Sequence, residues 1–466
     1  MSQLSPFDGV FLAMETPETP STIGGLAILD PTTHPEQAFD FDSFVDFTAE
    51  RLACCPRFTW RVQELPFGLD EPYWVEDEAL DLRRHIHRAC LPAPGGAHEL
   101  SELAGDLFSI PLDRRRPLWE MYLIEGLQGG RVGLLWKLHH CLMDGESGAG
   151  LVEILFDVAA RADSRPLLPI ADAESPGKVP ALATLVRRGV ESARRRNKAL
   201  GRNLLVAASA ALSSVARDEA SVLAPRAIFN GSVGSRRAVA WSSLPLAPVK
   251  QIKDELDVSV NDVILGLTGG AVRRYLELQG EPCESPLYAM MPVSIRKKGD
   301  RTVNNQVRDV AVDWGTDLAD PVERILRIGT GTRKVKRDAA RDTGGISFIR
   351  AMAESLAPGT MRLIVAAGAV FAESMPLPAN CVVSNIRMTD FPLYVAGAKI
   401  VSMVPMSVLA PTQGVNITVV TYDGELHFGV TVDPRLCPEP WVIAEGIAKS
   451  LGELQSAMDA LNEDAA

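Results

Sequence analysis

The sequence lacks the features of a membrane-spanning or exported protein. Its longest nearly apolar stretches, Leu204–Ala216 and Leu363–Ala372, are shorter than the about 18 residues that a spanning helix needs. The opening MSQLSPFDGV has neither a basic n-region nor an apolar h-region, so we expect no signal peptide. We therefore predict a cytoplasmic protein.

Cysteine is sparse, and its spacing forms no metal or disulfide pattern. The seven cysteines, an odd number, include no C-x-x-C pair, which argues against a disulfide framework or a zinc knuckle. The sequence contains no H-E-x-x-H, and the closely spaced His85 and His87 lack carboxylate or cysteine partners. We therefore predict reduced thiols and no metal site.

Basic residues are outnumbered by acidic ones. The 47 lysines and arginines against 59 aspartates and glutamates leave a net charge of −12. This argues against a general nucleic-acid binder, because such proteins carry surplus positive charge. The sequence has no phosphate loop of the G-x-x-x-x-G-K-[ST] or G-x-G-x-x-G type and no G-x-S-x-G elbow. It therefore supports neither a nucleotide-binding protein of those types nor a serine hydrolase.

The chain does contain enough apolar residues for sizeable cores. It has 466 residues, of which 46% are hydrophobic and 23% charged, and this length predicts two or three domains. Hydrophobic patterning divides it into residues 1–160, a Pro-rich and basic helical linker at 161–225, and residues 226–466. Both outer parts mix predicted strands with predicted helices, so the expected fold class is α/β (α+β).

Local patterns predict individual elements in both outer parts. In the first part we expect strands at Ile23–Leu29 and Val132–His140, and helices at Phe41–Leu52 and Glu146–Ala160. In the second part we expect a helix at Asn261–Leu276 and strands at Val239–Ser242, Leu287–Ser294, Gln306–Trp314, Cys381–Asn385, Gly414–Tyr422 and Glu425–Asp433. Asp423-Gly424 is predicted to be the two-residue turn between the last two strands, since glycine accepts a positive φ.

The linker contains a basic and partly apolar segment at residues 181–220. Eight basic residues stand there against three acidic ones. One interpretation is an amphipathic element that rests on an anionic membrane or lipid surface. The other, which we take as the default, is a crossover helix whose basic face is solvated.

The segment KLHHCLMDGESG, residues 137–148, holds the cluster with the clearest chemical potential. Alternate residues of a strand share a face, so His140 is expected on the apolar side with Leu138 and Trp136, while His139 faces the other way. An apolar environment keeps an imidazole neutral near pH 7, and a neutral imidazole can take a proton from an alcohol. The alternative is two surface histidines stacked at the end of a strand.

Asp144-Gly145 is predicted to turn the chain into the following helix. The Asp144 carboxylate can accept backbone N–H bonds there or pair with an arginine, which makes it an architectural residue. The alternative is that the Asp144 carboxylate orients the His140 ring directly. Cys141 is a conceivable thiol nucleophile, but its side chain is expected on the strand face opposite that of His140, so we expect a small buried filler.

HHCLMDG resembles the H-H-x-x-x-D-G motif of the bacterial wax ester synthase/diacylglycerol acyltransferase family, within the CoA-dependent acyltransferase superfamily. Further segments resemble blocks of this family, in order: LSPFDGVFLAMETPETPSTIGGLAIL, the PLW of Pro117, Leu118 and Trp119, the ND of Asn261 and Asp262, MPVSIR, SNIRMTDFPLYVAGA and QGVNITVVTYDGELHFG. The resemblance covers nearly the whole chain. NNQV at 304–307 and the lack of Pro-Gly-Pro after SNI depart from the family pattern.

The resemblance implies two chloramphenicol-acetyltransferase-like lobes with a substrate tunnel between them. It implies that His140 is the general base, which deprotonates an acceptor hydroxyl for attack on the thioester carbonyl of an acyl-CoA. His139, Asp144 and Gly145 are then expected to shape the site.

The other blocks supply candidates for substrate binding or site organisation. Asn261, beside Asp262, is a candidate donor to the tetrahedral oxyanion or an organiser of the site; the alternative is a helix cap. For Pro117-Leu118-Trp119, packing in the core is the alternative to ligand contact.

The implied activity is acyl-CoA-dependent formation of triacylglycerol from diacylglycerol, together with wax esters from long-chain alcohols. Acyl-CoA is then a substrate, and no prosthetic group is expected. Peripheral attachment to the inner membrane or to lipid inclusions is compatible with this activity.

Two alternatives to this activity stay open. One is a condensation-type acyltransferase that uses an amine or a carrier-bound donor, and the other is a non-catalytic protein on the surface of lipid inclusions.

Overall fold

The structure is a computed structural model that describes residues 3–33, 39–52, 55–142, 155–160, 181–196, 224–294, 307–341, 355–370 and 377–465. The strands are β1 Thr22–Asp30, β2 Trp60–Gln63, β3 Tyr73–Glu76, β4 Ile86–Cys90, β5 Trp119–Glu125, β6 Val132–His139, β7 Ala238–Pro245, β8 Tyr288–Ser294, β9 Val307–Asp313, β10 Cys381–Arg387, β11 Tyr394–Val395, β12 Ala398–Met406, β13 Val415–Tyr422 and β14 Glu425–Val432. The helices are α1 Pro6–Met14, α2 Phe41–Leu52, α3 Ala97–Ser109, α4 182–196, α5 Leu246–Glu255, α6 Val260–Leu278, α7 Pro321–Arg341, α8 Pro358–Val370 and α9 Pro440–Ala465.

The first six-stranded sheet has the order β11-β12-β1-β6-β5-β4. Only β4 and β5 run parallel, and the other neighbours are antiparallel. Strand β6 therefore lies in the interior of the sheet, with Thr22 of β1 opposite His139 and Trp119 of β5 opposite Leu138. This position holds the histidine motif between two strands just where β6 ends.

The second six-stranded sheet has the order β7-β14-β13-β10-β8-β9, with β10 parallel to both of its neighbours. Helices α5, α6, α7 and α9 pack together beside it, and their apolar residues form one core with β7, β13 and β14. Helix α6 is almost entirely buried from Asp262 to Val272. Its first turn is thereby fixed relative to the strands of this sheet.

The second part of the chain contributes two strands to the first sheet. Strands β11 and β12 come from the second half of the chain but belong to the first sheet, where β12 pairs with β1. Beyond β12, the N–H of Ser407 donates to Thr431 Oγ1 of β14 (3.5 Å), and Asn416 Nδ2 of β13 donates to the carbonyl of Val408 (3.0 Å). The chain segment after β12 therefore connects the sheets directly.

Most of the predicted elements in the described residues are present, with ends shifted by one to three residues. The helix Phe41–Leu52 is observed as predicted, and the predicted strand Val132–His140 ends at His139. Asp423 and Gly424 form the predicted turn, with φ values of 46° and 81°. The hairpin prediction is confirmed.

The helix predicted for Glu146–Ala160 is wrong at its C-terminal end. Residues 156–160 are not helical; instead, Asp157 exchanges two backbone hydrogen bonds with Tyr394 of β11, each 2.8 Å long. Its carboxylate pairs with Arg51 of α2 at 2.5 Å. The apolar Leu155 and Phe156 are buried as the pattern required, but a bridge to the sheet edge replaces the helix. Residues 146–154 lie outside the described residues.

The predicted linker is described only over part of its length. Residues 182–196 form α4, whereas 161–180 and 197–223 lie outside the described residues. Across the part of the chain that the structure covers, none of the helices is both long and apolar enough to cross a bilayer.

Candidate active site

His139 is completely buried at the end of β6. Its N–H donates to the carbonyl of Leu118 (3.0 Å), and its Nδ1 accepts the N–H of Cys141 (3.1 Å). Because Nδ1 is an acceptor, the hydrogen-bond network assigns the ring proton to Nε2, which lies 3.5 Å from Glu15 Oε2. Burial lowers the pKa of His139. The ring is thus neutral at pH 7, and the alternative of two surface histidines is wrong for His139.

Glu15, just after α1, lies against the neutral His139 ring and forms an ion pair with Arg114. Arg114 donates from Nε (2.8 Å) and Nη2 (2.5 Å) to Glu15 Oε2, and also bonds the carbonyl of Leu12 and the carboxylate of Glu64. Burial raises the pKa of Glu15, but its contacts with His139 and Arg114 outweigh burial and lower the pKa to about 2. A fixed negative charge therefore lies beneath the motif.

His140 is half-buried immediately after the strand. Its ring stacks on Phe11 of α1, with centroids 3.8 Å apart and an interplanar angle of 12°. Its N–H donates to the carbonyl of Ser21 (2.8 Å), and the N–H of Ser21 donates to Glu15 Oε1 (3.2 Å). The backbone of His140 is therefore linked through one residue to the buried carboxylate.

The remaining motif residues divide into a described and an undescribed part. Cys141 is buried, and burial raises the pKa of its thiol well above the usual range. The thiol is therefore protonated at neutral pH, in agreement with a small buried filler. Asp144 and Gly145 lie outside the described residues, so their expected roles stay predictions.

Pro117-Leu118-Trp119 leads directly into β5, next to the motif strand. Leu118 and Trp119 are fully buried. The Trp119 indole donates to the carbonyl of Phe58 (2.7 Å), and its ring stacks on His85 at 4.6 Å. His85 Nδ1 in turn lies 2.8 Å from the carbonyl of Trp119. Through these contacts Leu118 and Trp119 pack in the core and support β6. Core packing was the alternative to ligand contact for these residues.

The ND block forms the first turn of α6. Ser259 is the N-cap, and the Asp262 carboxylate accepts from the N–H (2.8 Å) and hydroxyl (2.7 Å) of Ser259 in a capping box. Asp262 also accepts from the hydroxyl of Thr332 on α7 (2.6 Å). Asp262 is therefore architectural. Because Ser259 occupies the cap position, the interpretation of Asn261 as the helix cap is wrong.

Asn261 instead pairs with Asn385 of β10. Asn385 Nδ2 donates to Asn261 Oδ1 at 2.8 Å, across 124 residues of sequence. The Asn385 Oδ1 is buried and has no hydrogen-bond partner in the described part of the chain. The pair fixes the orientation of the Asn261 amide, with its NH2 group directed away from the shared bond.

Three residues of this site had no assigned role in the sequence analysis: Glu15, Arg114 and Asn385. Glu15 and Asn385 stand inside segments that resemble family blocks, METPETPSTI and SNIRM, and Arg114 stands three residues before the PLW block. No local signal distinguishes Glu15 from Asp8 and Glu18, the other acidic residues of its block. No local signal distinguishes Asn385 from a turn residue.

The sequence profile of the wax ester synthase/diacylglycerol acyltransferase catalytic domain matches residues 4–264. The profile of the C-terminal domain of the same family matches residues 303–455. The chain belongs to the wax ester synthase/diacylglycerol acyltransferase family. The resemblance inferred from HHCLMDG and its accompanying blocks is confirmed.

Relatives of this family match over almost the full chain. A Mycobacterium tuberculosis protein assigned by name as a diacylglycerol O-acyltransferase is 32% identical, over 98% of this chain and 91% of its own. The structure of the wax ester synthase/diacylglycerol acyltransferase from Marinobacter aquaeolei VT8 superposes with a TM-score of 0.70 at 27% identity, covering 98% of this chain and 100% of that one. The predicted fold class is therefore confirmed.

A more distant likeness concerns the fold alone. The first condensation domain of the calcium-dependent antibiotic synthetase has a TM-score of 0.56 at 15% identity, over 97% of this chain and 96% of that domain.

Within the described residues, no group of three or more His, Cys, Asp or Glu side chains is arranged to hold a metal ion.

Proposed function

We propose that this chain transfers the acyl group of an acyl-CoA to the hydroxyl of diacylglycerol, and also to long-chain alcohols, with His140 as the general base. Membership of the family makes it an acyl-CoA-dependent acyltransferase of the diacylglycerol O-acyltransferase class. The observation that carries the assignment of the base is the half-buried His140 ring, stacked on Phe11 at the end of β6.

In this mechanism His140 takes the proton of the acceptor hydroxyl as the oxygen attacks the thioester carbonyl. The C–O bond forms, and the carbonyl oxygen of the tetrahedral intermediate carries the negative charge. Collapse of this intermediate breaks the C–S bond, and the leaving thiolate takes the proton back from the imidazolium. The products are an ester and free CoA, and the base is restored.

His139 and Glu15 are proposed as positioning residues. His139 accepts the N–H of Cys141, and Glu15 accepts the N–H of Ser21, whose carbonyl holds His140. The main chain is thus fixed on both sides of the base. Asp144 and Gly145, which follow in the motif, are proposed to complete this support by turning the chain into the next segment.

Asn261 is proposed as the donor to the oxyanion or as the organiser of the site. Its Oδ1 accepts from Asn385, and this bond leaves both of its N–H groups available to donate to a ligand. An N–H donor is what a developing oxyanion requires.

Attachment to a lipid surface is proposed as part of the function, because the acceptor and the product are both insoluble in water. The inner membrane and lipid inclusions are the two surfaces proposed for this attachment. A cytoplasmic enzyme that binds such a surface reversibly would reach both its soluble acyl-CoA and its lipid acceptor.

The test compares the purified chain with His140→Ala, using one long-chain acyl-CoA and a panel of diacylglycerol, a long-chain alcohol and a long-chain amine. Release of free CoA and formation of product are both measured. We expect His140→Ala to lose about 10²–10⁴-fold in kcat, the usual contribution of a general base. His98→Ala, a change of an exposed histidine on α3, is the matched control.

Three outcomes count against the proposal. If His140→Ala keeps most of its activity, His140 is not the base. If the amine is the best acceptor, the chain is a condensation-type enzyme. If purified protein binds lipid but releases no CoA with any acceptor, it is a non-catalytic lipid-surface protein.

A further inference from the structure

Three neighbouring elements expose an unusual number of apolar side chains. They are the turn Pro66–Gly68 with the residue after it, helix α4 and helix α8. Of the fifteen large apolar side chains that are exposed in the described part of the chain, seven lie here. They are Phe67, Leu69, Leu182, Val186, Val190, Leu363 and Ile364. We call these seven side chains the apolar face.

Close backbone contacts make this face continuous. Gly68, at φ 58°, lies so near α8 that an added Cβ would stand 2.5 Å from the backbone nitrogen of Gly359. On the other side, an added Cβ at Gly189 of α4 would stand 3.0 Å from Leu69 Cβ. Arg196 of α4 also donates to the carbonyl of Leu356, just before α8. The turn is therefore held between the two helices.

Phe67 is the most exposed large apolar residue of this face, with 92% of its surface accessible. Its φ of 58° places a bulky residue in the left-handed region that favours glycine. The left-handed backbone at Phe67 opposes folding, and its ring stays in water when the chain is folded. A partner that buries the ring would compensate for this cost.

Charge on α4 identifies the kind of partner. Leu182, Val186 and Val190 recur every four residues and form one stripe. The exposed residues beside the stripe include Arg187, Arg194 and Arg195, whereas Glu191 is the one exposed acidic residue among the described positions of α4. This basic flank contrasts with the net charge of −12 of the whole chain. An apolar stripe edged by arginines is complementary to a surface that is anionic outside and apolar beneath.

We propose that the apolar face docks on an anionic phospholipid bilayer. Phe67, Leu363 and Ile364 enter the boundary between headgroups and acyl chains, and the arginines of α4 contact the lipid phosphates. This inference rests on the lipid attachment in the proposed function, but it is independent of the assignment of the base.

The experiment measures co-sedimentation of the full chain with vesicles of phosphatidylcholine alone and of phosphatidylcholine mixed with phosphatidylglycerol. We expect binding to the mixed vesicles, and release of the protein by high salt. Phe67→Asn keeps the backbone conformation, because asparagine tolerates the left-handed region. We expect it and Leu363→Ser each to weaken binding about tenfold. Arg187→Glu with Arg194→Glu should remove the preference for phosphatidylglycerol.

Matched controls are Leu278→Ser and Leu461→Ser, which change exposed leucines elsewhere, at 64% and 53% exposure. These should bind as the unchanged chain does. Equal losses in the controls, or no loss in the variants of the apolar face, would overturn the proposal. Equal binding to triolein droplets that carry no phosphatidylglycerol, or a salt-resistant dimer that covers Phe67, would overturn it in favour of a neutral lipid or a second copy.

Acyl transfer to a detergent-dispersed acceptor separates this proposal from the proposed function. Variants of the apolar face should keep that activity, since they do not touch the motif. If the unchanged chain binds anionic vesicles but transfers no acyl group in detergent, the proposed function fails and the docking surface stands. If it transfers the acyl group but does not bind vesicles, the docking surface and the attachment to a bilayer fail together, and acyl transfer with His140 as the base stands.

Discussion

Glu15 Oε2 lies 3.5 Å from Nε2 of His139, and Arg114 donates two bonds to the same oxygen. The second carboxylate oxygen accepts the N–H of Ser21, whose carbonyl holds the N–H of His140. One buried carboxylate therefore supports both histidines of the motif, one through its side chain and the other through its main chain.

Glu15→Gln should weaken the fold in a pH-dependent way. The pKa of Glu15 is lowered from its ordinary 4.5 to about 2, so the folded state binds fewer protons than the unfolded chain between these values. The carboxylate thus contributes stability that is complete above pH 4.5 and is lost as the pH falls towards 2. We expect the free energy of unfolding to fall over this range by about 3 kcal/mol more in the unchanged chain than in Glu15→Gln.

Urea unfolding curves from pH 2.5 to pH 6 measure this difference. Glu18→Gln, an exposed change three residues away, should follow the unchanged chain at every pH. Parallel curves for Glu15→Gln and the unchanged chain would show that the carboxylate is not stabilised by His139 and Arg114.

Asn385 should act on the reaction only through Asn261. The single bond between the two amides, 2.8 Å long, fixes which side of the Asn261 amide faces a ligand. We expect Asn261→Ala to lower kcat about 100-fold, as loss of an oxyanion donor does. Asn385→Ala should lower kcat about tenfold through misorientation, and the double variant should be no slower than Asn261→Ala alone.

A double-mutant cycle in kcat, with KM for acyl-CoA recorded for each variant, tests this coupling. Arg387→Ala, an exposed change at the end of β10, is the control and should leave kcat unchanged. Additive losses in the cycle would mean that Asn385 acts independently of Asn261.

Local sequence patterns were sufficient to predict the strand that carries the two histidines and the turn between the last two strands. The apolar run of β6 and the Asp423-Gly424 turn involve residues that are close in sequence, so periodicity and turn chemistry determine them. The pairing of β12 with β1 could not be predicted in the same way. Nothing in the composition of Ala398–Met406 states that its partner lies in the first part of the chain.

In the candidate site, too, features set by neighbouring residues could be predicted and contacts between distant residues could not. The position of the two histidines at a strand end follows from the mostly apolar run of residues 132–138 that precedes them. The partners of those histidines do not, because Arg114 reaches Glu15 across 99 residues. Burial of His139 depends on α1 covering that end of the sheet, which is a property of tertiary packing. A buried ion pair therefore leaves no local pattern by which its two members could be matched.

Cys141 should be dispensable for catalysis. Its thiol is fully buried, and burial raises its pKa well above the usual range, so the nucleophilic thiolate is not formed at neutral pH. We expect Cys141→Ala to keep most of its activity and to lose about 1 kcal/mol of stability from the small cavity. Intact-mass measurement after mixing with acyl-CoA in the absence of acceptor should show no acyl-enzyme. A covalent adduct that disappears in Cys141→Ala would contradict this.

Glu71 connects the linker helix to the helix that covers the base. Its Oε1 accepts from Arg196 of α4 (2.7 Å), and its Oε2 packs against Gly9 of α1, two residues before Phe11. Burial, which outweighs the bonds to Arg196, raises the pKa of Glu71 to about 7. The carboxyl group is therefore partly protonated near neutral pH.

Ionisation of Glu71 changes the stability with pH in the direction opposite to that of Glu15. Between pH 4.5 and about 7 the folded chain keeps a proton that the unfolded chain has released, so stability falls as the pH rises through this range and is level above it. Glu71→Gln cannot ionise, so its free energy of unfolding does not fall in this way. As the pH rises from 5 to 8, the free energy of unfolding of the variant should therefore gain about 3 kcal/mol on that of the unchanged chain. Denaturant unfolding at these two pH values measures it, with the exposed Glu76→Gln as control. A constant difference across this range would mean that Glu71 is ionised throughout, and that Arg196 compensates its burial completely.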